Sequence, residues 1–484
     1  MEKANSLKRS PSFASRIGLW LGLLWLILVW ILPVPAGMSP QAWACVGLAL
    51  LMATWWATEA IPIPATSLLP IILVPALGIG KIGPTTAEYG NPIVFLFLGG
   101  FLLGIAMQRW NLHRRIALKV LLVMGQKPKR QIAGFMIATG FLSMWVSNTA
   151  TAIMMLPIGI SVVSLLGKDH DEGEVARYAT TLLLAIAYAA SIGGIATLIG
   201  TPPNALLAGY LSANHGIDIG FAQWMAIGLP VSVTMMAVAW WWLTRKGFRL
   251  EGGQSGDQVL RAELARLGNM SQAEKRVAIV FCLAALAWIV RPLLNDVGVD
   301  WLSDTSVALM AGLLLFLLPS GSERHVALLN WDDAKGLPWG VLLLFGGGLA
   351  LAKAIESSGL AEWIAQQLGV FGAMPALLLI GLIVLVIIFL TEVTSNTATA
   401  AAFLPLLGAL AVSLNVDPLL ITVPAAIAAS CAFMMPVATP PNAIVFATGH
   451  MKIQSMIRAG FFLNIAGTIL VTLLVVSLLE ALWI

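Results

Sequence analysis

Long apolar runs separated by short polar stretches occupy almost the whole chain. These runs lie near 17–35, 39–58, 62–78, 91–108, 131–165, 178–212, 221–243, 274–292, 303–319, 337–353, 373–414, 418–449 and 456–482. About 20 consecutive apolar residues are enough for a helix to cross the hydrocarbon core of a bilayer. The pattern therefore predicts an all-α polytopic membrane protein.

The longest runs exceed the length of one simple span, and each of them carries a polar motif. We interpret 131–165 and 373–414 as re-entrant helical hairpins, which enter and leave the membrane by the same side. We interpret 178–212 and 418–449 as single crossings that are broken in the middle. Non-helical backbone at membrane depth is tolerated only where it is buried in protein or lines a cavity.

The distribution of lysine and arginine supports this topology. With the N-terminus in the cytoplasm, every Lys and Arg except Lys81, Arg291 and Lys353 lies on the cytoplasmic side, in 1–16, 109–130, 166–177, 244–276, 320–336 and 450–458. Cytoplasmic loops of membrane proteins carry such an excess of positive charge. Treating either hairpin as one crossing would invert every later loop and destroy the bias.

Composition agrees with a membrane protein and excludes several other classes. Hydrophobic residues make up 59% of the chain and charged residues 10%, against roughly 25% charged residues in soluble domains. The net charge of +4 does not indicate nucleic-acid binding, because the basic residues follow the membrane topology. The three cysteines lie in apolar runs without CxxC spacing, so neither disulfides nor a structural metal site is expected. Residues 1–32 also allow a cleaved signal peptide, but a retained first helix fits their length better.

Two polar motifs occur twice, in the same order in each half. Ser-Asn-Thr-Ala-Thr-Ala spans Ser147–Ala152 and Ser395–Ala400, and Thr-Pro-Pro-Asn-Ala spans Thr201–Ala205 and Thr439–Ala443. In the topology above, the first repeat begins outside and the second inside, so the repeats are inverted. Paired interruptions at corresponding positions of inverted repeats indicate the binding site of a secondary transporter.

The residue types in these motifs suit a cation beside an anion. A hairpin tip exposes free carbonyl oxygens where its first helix ends and free amides where its second begins. The proline pairs remove amide donors and free the carbonyl groups of Gly200 and Ala438. Neither motif contains Lys, Arg or His. An anionic substrate would therefore need co-bound cations, because an uncompensated charge at this depth is costly.

Because of the paired SNT and TPPN motifs, the chain resembles the divalent anion/sodium symporter (DASS) family, over essentially its whole length from about residue 15. The resemblance implies a homodimer in the cell membrane, the inner membrane of a bacterium, with about 11 transmembrane helices and two re-entrant hairpins per chain. It also implies Na⁺-coupled symport of a divalent organic anion by an elevator mechanism, without an organic cofactor. Substrates of the family are C4-dicarboxylates such as succinate, malate and fumarate, or citrate, tartrate or sulfate.

The resemblance also implies particular site residues. The first sodium site would comprise Ser143, Ser147, Asn148 and the Gly200 carbonyl, and the second Thr391, Ser395, Asn396 and the Ala438 carbonyl. The substrate would contact Asn148, Thr149, Thr201, Asn396, Thr397 and Thr439. Ser143 and Thr391 each lie four residues before the serine of the SNT motif, on the same face of a helix.

The resemblance further implies a moving transport domain and a stationary scaffold. We expect the transport domain to contain 91–212, with hairpin 131–165 and broken helix 178–212, and 337–449, with hairpin 373–414 and broken helix 418–449. The scaffold would contain 17–78, 221–319 with a cytoplasmic linker at 244–273, and 456–482.

Several alternatives stay open at this point. An exchanger of dicarboxylates, tricarboxylates or tartrate without net Na⁺ coupling fits the same fold, as does a sulfate symporter. An enzyme is disfavoured because the chain lacks HExxH and GxSxG motifs, and a channel is disfavoured by two hairpins that close over one site. Glu392, at membrane depth, is a candidate either for the cation field or for accepting backbone amides within its hairpin. Neutral ligands do not determine which divalent anion is bound.

Overall fold

The computed structural model describes residues 13–125, 127–166, 171–250, 255–296, 298–299, 301–321, 326–368 and 374–484. Residues 1–12, 167–170, 251–254 and 322–325, which the sequence assigns to the cytoplasm, lie outside the described residues, as does residue 373 at the start of the second hairpin. Within the described ranges the chain forms helices and turns without a β-strand, so the all-α prediction is confirmed.

The first half contains helices α1 to α13. Their bounds are Phe13–Ile31, Pro40–Thr58, Ile63–Thr66, Leu69–Ala76, Ile82–Ala87, Pro92–Arg109, Leu112–Met124, Pro128–Ser143, Asn148–Leu166, Glu172–Gly194, Pro202–His215, Phe221–Thr244 and Ser255–Arg266, with a 3₁₀ turn at Glu88–Gly90.

The second half contains helices α14 to α24. Their bounds are Gln272–Asp296, Asp304–Leu317, Trp331–Ala334, Trp339–Ser357, Leu360–Leu368, Ala376–Thr391, Asn396–Ser413, Pro418–Ala429, Pro440–Phe446, Ile453–Leu470 and, after a π-helical stretch at Val471–Val475, Val476–Leu482.

Many of these helices have the length and composition of membrane spans. Nine helical segments of the described chain are long and apolar enough to cross a bilayer, and four shorter apolar segments accompany them. Only 17% of the apolar window of α1 and 22% of that of α14 are buried inside the protein. Exposed apolar faces of this size require a covering by lipid or by another protein surface.

The repeated motifs mark helix boundaries. Asn148 and Asn396 are the first residues of α9 and α20, and Pro202 and Pro440 are the first residues of α11 and α22. Proline suits this first helical position because its missing N–H group would have no partner within the helix. Each SNT motif therefore follows the turn of a helix pair (α8–α9, α19–α20), and each TPPN motif restarts a helix after a non-helical stretch (α10–α11, α21–α22).

The part of each broken helix that follows the break packs on the other repeat. The pair α8–α9 packs on α10, and the pair α19–α20 packs on α21, each within its own repeat. Beyond the break, however, α11 packs on α20 and α21, while α22 packs on α9 and α10. Each TPPN helix is thus held against the SNT helix of the other repeat.

Within the first repeat, the hairpin helix α8 and the broken helix α10 are in backbone contact. A Cβ on Gly193 would lie 2.3 Å from the carbonyl oxygen of Gly140.

Helices α12 and α23 pack on the two breaks in equivalent ways. Ser232 of α12 donates to the carbonyl of Ile192 at 2.9 Å, and a Cβ on Gly228 would lie 2.6 Å from the carbonyl of Ile195. In α23, a Cβ on Gly460 would lie 2.2 Å from the carbonyl of Phe433. Both helices are therefore fitted closely to the non-helical segments of the site.

Helices α6 and α17 also contact the repeats, but their glycines make their closest backbone contacts with the outer helices. A Cβ on Gly99 of α6 would lie 2.5 Å from the backbone of Ala308 in α15. A Cβ on Gly347 of α17 would lie 2.4 Å from the carbonyl of Ser67, between α3 and α4. These contacts bring the backbones of both Gly-rich helices against the outer part of the protein.

Two of the basic residues that depart from the cytoplasmic bias are paired with acids. The guanidinium of Arg291 lies 2.7 Å from a carboxylate oxygen of Asp304, and Lys353 donates to Glu356 at 2.9 Å. The positive-inside rule counts Lys and Arg alone, so both residues remain exceptions to the bias, each beside an acidic partner.

Candidate functional site

The turn between α8 and α9 gathers four oxygen-bearing groups. Oγ of Ser143 lies 2.6 Å from the carbonyl oxygen of Ala190 and 2.6 Å from the side-chain amide of Asn148. The same end of that amide lies 3.2 Å from the carbonyl oxygens of both Ala190 and Gly200. The structure therefore brings together three of the four residues expected at the first sodium site, and it adds the carbonyl of Ala190.

The donors and acceptors in this turn depend on which end of the Asn148 amide points inward. The Ser143 hydroxyl has one proton, which can serve only one of its two neighbours. Without a cation, the amide nitrogen of Asn148 must point inward to satisfy the surrounding oxygens. With a cation in their midst, the amide oxygen would point inward, and hydroxyl, amide and carbonyl oxygens would all be ligands. An all-oxygen, neutral ligand set is the kind that hard cations prefer.

The turn between α19 and α20 repeats this arrangement. Oγ1 of Thr391 lies 2.8 Å from Oδ1 of Asn396 and 3.0 Å from the carbonyl oxygen of Ala429. Again one hydroxyl proton stands between two acceptors. Thr391 and Ser143 are completely buried, so neither hydroxyl can turn to solvent for a further partner.

The other expected sodium ligands have different surroundings. Oγ of the exposed Ser147 accepts from the backbone N–H of Ala150 at 3.3 Å. Ser395 is the N-cap of α20, and its side chain makes no capping hydrogen bond. Ala438 is buried in the turn before α22, and its N–H donates to the carbonyl of Met435 at 3.2 Å. The contacts above do not include these three residues.

The four threonines expected to contact substrate lie at the starts of helices. Thr149 and Thr397 are the second residues of α9 and α20, and Thr397 is buried. Thr201 and Thr439 are the buried N-cap residues of α11 and α22. The N-terminal ends of helices present free N–H groups and favour anions. Each of these helix starts belongs to a TPPN or SNT helix that packs on the other repeat.

Two further asparagines, which the sequence argument did not single out, hold the non-helical segments together. Asn204 and Asn442 are the asparagines of the two TPPN motifs, and both are completely buried. Asn204 donates to three backbone carbonyls of its break, and Asn442 donates to two of its own. Their duplication in the motif was the available sequence signal.

Glu392 binds backbone amides, but these amides lie in a different segment from the one that the sequence hypothesis named. It accepts from the backbone N–H groups of Phe433, Met434 and Met435 at 2.7–2.9 Å. Asn464 of α23 also donates to it at 2.8 Å. These amides belong to the break between α21 and α22, not to the hairpin itself. The carboxylate therefore replaces hydrogen bonds that the chain loses where α21 unwinds.

The first repeat makes the corresponding connection with the backbone and side-chain roles exchanged. Met144 precedes its SNT motif as Glu392 precedes the second. The carbonyl of Met144 accepts from Oγ1 of Thr197, in the break, at 2.6 Å. Both hairpin turns are thus tied to the break of their own repeat, by a backbone acceptor in one and a side-chain acceptor in the other.

A separate cavity of about 330 Å³ lies between α11, α17, α18 and α20. Tyr210, His215, Glu356 and Glu362 are among its lining residues. Tyr210 is nine residues beyond Thr201 in the same helix, which places it roughly 13 Å farther along the axis. The cavity is therefore distinct from the paired turns, whose duplicated oxygen groups remain the better candidate for function.

The chain is similar to known membrane transporters over nearly its whole length. Residues 14–484 match the model of the sodium:sulfate symporter transmembrane region. The sodium-dependent dicarboxylate transporter SdcS of Staphylococcus saprophyticus is 45% identical over 96% of this chain and 92% of its own length. SdcS of Staphylococcus aureus strain USA300 is 43% identical over 98% and 93%.

Two solved transporter structures share the fold at low identity. MtrF of Neisseria gonorrhoeae has a TM-score of 0.58 at 14% identity, covering 96% of this chain and 95% of its own. YdaH of Alcanivorax borkumensis has a TM-score of 0.56 at 13% identity, covering 98% and 99%. At such identities the likeness concerns the fold alone.

Proposed function

Because the chain belongs to the sodium:sulfate symporter family, which is the DASS family inferred from its motifs, we propose that it couples the uptake of a C4-dicarboxylate to Na⁺. The expectation of a multi-pass membrane transporter rather than an enzyme is confirmed by the family and by relatives named as transporters. Dicarboxylate is preferred to sulfate because relatives at 43–45% identity over nearly the whole chain are named as sodium-dependent dicarboxylate transporters.

The observation that carries Na⁺ coupling is the paired cluster of neutral hydroxyl, amide and carbonyl groups at the two turns. Ser143 and Thr391 each stand between an amide and a carbonyl oxygen with one proton to give. A cation at each turn would satisfy every oxygen at once. We assign the first cation to Ser143, Asn148 and Gly200, with the Ala190 carbonyl as a further ligand. The second is assigned to Thr391 and Asn396, with the Ala429 carbonyl.

The dicarboxylate would lie between the two cation sites, where the helix starts converge. Asn148, Thr149, Asn396 and Thr397 offer amide and hydroxyl donors, and the helix N-termini contribute N–H groups. Thr201 and Thr439 lie at the ends of the opposing TPPN helices. Two bound Na⁺ ions would balance the two negative charges of the substrate, which otherwise pays a large desolvation cost. Cation and anion therefore stabilise each other's binding, as symport requires.

Uptake of radiolabelled succinate into proteoliposomes tests this function. We expect uptake that needs external Na⁺, rises steeply with its concentration and is lost when choline replaces it. Empty liposomes and liposomes preloaded with succinate are the controls. Uptake that is independent of Na⁺ but requires preloaded dicarboxylate would favour the exchanger. Uptake of sulfate in preference to succinate would favour the sulfate symporter.

We propose an elevator mechanism with a revised division of the chain. The sequence division placed 221–243 and 456–482 in the scaffold, and 91–108 and 337–353 in the moving domain. The packing supports the opposite assignment, because α12 and α23 are fitted to the breaks while α6 and α17 are fitted to α15 and to Ser67. The proposed moving body is thus α8–α12 with α19–α24, and α1–α6 with α14–α17 form the scaffold.

A disulfide between the two bodies tests this division. A Cβ at Gly348 of α17 would lie 3.2 Å from the Cβ of Ala401 in α20, near the ~3.8 Å typical of disulfides. Oxidation of a Gly348→Cys/Ala401→Cys variant, with Cys282 replaced because it is exposed, should stop transport reversibly while substrate still binds. A control disulfide within the moving body, Gly381→Cys/Thr472→Cys, should leave transport intact. Full transport by the first variant after oxidation would refute the rigid-body motion.

We also propose that two chains form a homodimer in the bacterial inner membrane with their N-termini in the cytoplasm. The weakly buried outer helices α1 and α14 leave apolar surface for lipid or a second copy. The charge bias of the loops supports the orientation. Cross-linking in native membranes tests the dimer. Labelling of a cysteine placed at the exposed Ala14, from each side of the membrane in turn, tests the orientation.

A further inference from the structure

We propose that Asn204 and Asn442 are positioning residues that set the spacing of the carbonyl oxygens at the two cation sites, and thereby the affinity for Na⁺. The inference rests on the proposed function, since it assigns how the transport site acquires its Na⁺ affinity. Neither side chain is assigned as a ligand of the cation.

Asn204 spans the break between α10 and α11. Its Nδ2 lies 3.2 Å from the carbonyl oxygens of Gly194 and Ile195 and 2.8 Å from that of Thr197. Carbonyl groups at the end of a helix lack the N–H partners of the next turn. One buried amide group thus supplies the donors for several carbonyls that the broken helix leaves without partners.

Asn442 repeats the arrangement in the second break. Its Nδ2 donates to the carbonyls of Ala432 at 3.2 Å and Met435 at 3.1 Å. These carbonyls stand 10 and 7 residues before the asparagine, the same separations as for Gly194 and Thr197 in the first repeat. The other contacts of the two breaks differ, because Glu392 binds the break between α21 and α22 and has no acidic counterpart at Met144 in the first repeat. The asparagine contacts are the part that both repeats keep.

The first break folds back tightly on itself beside Asn148. A Cβ on Gly200 would lie 2.4 Å from the carbonyl oxygen of Gly194, so the two backbones are in contact. A Cβ on Gly194 would lie 2.8 Å from Oδ1 of Asn148 and 2.9 Å from the carbonyl oxygen of Gly200. Asn204 holds the carbonyl of Gly194 from the other side. Loss of Asn204 would therefore release the segment whose position fixes the distance between two proposed ligands.

The amide oxygen of each asparagine supports a role of the side chain as a hydrogen-bond donor. Oδ1 of Asn204 and Oδ1 of Asn442 are buried and have no hydrogen-bond partner among the described residues. A buried acceptor without a partner is destabilising. Both repeats nevertheless place an amide there, as expected if its N–H groups are required to hold the carbonyls. An aspartate of the same shape would present only acceptors to those carbonyls.

The test compares Asn204→Ala, Asn204→Asp and Asn442→Ala with wild type, using Asn214→Ala as the matched control. Asn214 lies on the same helix as Asn204 but donates to the carbonyl of Tyr210, within α11. Two readouts are the Na⁺ concentration for half-maximal succinate uptake in proteoliposomes and the thermal stabilisation of purified protein by Na⁺ relative to choline. The succinate KM at saturating Na⁺ and the preference for Na⁺ over Li⁺ complete the set.

We expect the half-maximal Na⁺ concentration to rise about tenfold or more in Asn204→Ala and Asn442→Ala, since a lost buried hydrogen bond has an effect of this size. Asn204→Asp should be at least as severe. The succinate KM at saturating Na⁺ should change far less, and the preference for Na⁺ over Li⁺ should weaken because the oxygen spacing is relaxed. If Asn204→Ala cannot be isolated folded, Asn204→Ser keeps one donor and should show an intermediate shift.

Variants that lose maximal rate but keep the wild-type Na⁺ dependence and ion preference would overturn the inference, because the asparagines would then only support the fold. Equal shifts in the Asn214→Ala control would overturn it as well. If the uptake of succinate by the wild-type protein and its thermal stability are both independent of Na⁺, the proposed function itself is refuted. The two failures are therefore distinguishable within one experiment.

Discussion

The substitution Gly194→Ala adds one methyl group to the proposed first cation site. The new Cβ would lie 2.8 Å from Oδ1 of Asn148 and 2.9 Å from the carbonyl oxygen of Gly200. Ordinary van der Waals contact begins at 3.4 Å. Gly194 is the last residue of α10 and does not have a positive φ, so alanine is compatible with its backbone.

The size of the effect follows from these distances. To make room, the two oxygens would each move by about 0.5 Å, whereas metal ligands keep their distances to within roughly 0.2 Å. Loss of one well-placed ligand should weaken Na⁺ binding by about 1–3 kcal/mol, a factor of about 5 to 150. Gly194 is the last residue of α10, so the preference of alanine for helix interiors does not offset the crowding, which should itself lower stability by about 1–3 kcal/mol.

The assay is the Na⁺ dependence of succinate uptake by reconstituted protein, together with the melting temperature without Na⁺. Gly159→Ala is a matched control, because its Cβ would meet only side-chain ends: Cδ1 of Ile186 at 3.0 Å, then Cδ2 of Leu182 at 3.6 Å and Cε1 of Phe135 at 3.7 Å. We expect a raised half-maximal Na⁺ concentration in Gly194→Ala alone, measured below the melting temperature of each of the three proteins. An unchanged Na⁺ dependence in folded Gly194→Ala would show that no cation binds between Asn148 and Gly200.

Three further predictions concern other parts of the site and its surroundings. Asn148→Ala and Asn396→Ala should each reduce succinate uptake at least about tenfold without reducing the amount of protein inserted in the membrane, and wild-type uptake by either variant would contradict the shared site. Glu392→Gln replaces one acceptor oxygen by a donor facing backbone N–H groups, so it should lower the apparent melting temperature in detergent by an amount corresponding to about 1–3 kcal/mol; an unchanged melting temperature would contradict the bracing role. Burial lowers the pKa of His215 below its ordinary value, so the folded protein binds its proton less readily than the unfolded chain does and should lose stability as the pH falls below about 6.5. His215→Gln should show a smaller acid-induced drop in melting temperature than wild type, and equal drops would exclude this histidine as a cause.

Much of the local structure of the site follows from the sequence. The SNT asparagines begin helices and the TPPN prolines restart them, as the motifs indicated. Proline lacks an N–H group and fixes its own φ angle, and small polar residues satisfy the open ends of helices. These effects act within a few residues, so they can be read from the motifs without knowledge of the fold.

The side chains that meet within each turn were only partly anticipated. The four-residue spacing indicated Ser143 beside Ser147 and Thr391 beside Ser395, whereas the hydrogen-bond contacts of Ser143 and Thr391 are with Asn148 and Asn396. The division into moving and stationary parts is a different case. The sequence grouped α6 with the first hairpin because they share a repeat unit, whereas backbone contact at Gly99 joins α6 to α15.

Only the tertiary structure decided which backbone groups complete the site. The carbonyls of Ala190 and Ala429 carry no mark in the sequence, because every residue has the same carbonyl group. The partners of Glu392 are separated from it by 41–43 residues and become its neighbours through the packing of α19 on α21. Local chemistry thus determines where each helix breaks, while the side-chain packing of distant helices determines which of the exposed backbone atoms face one another.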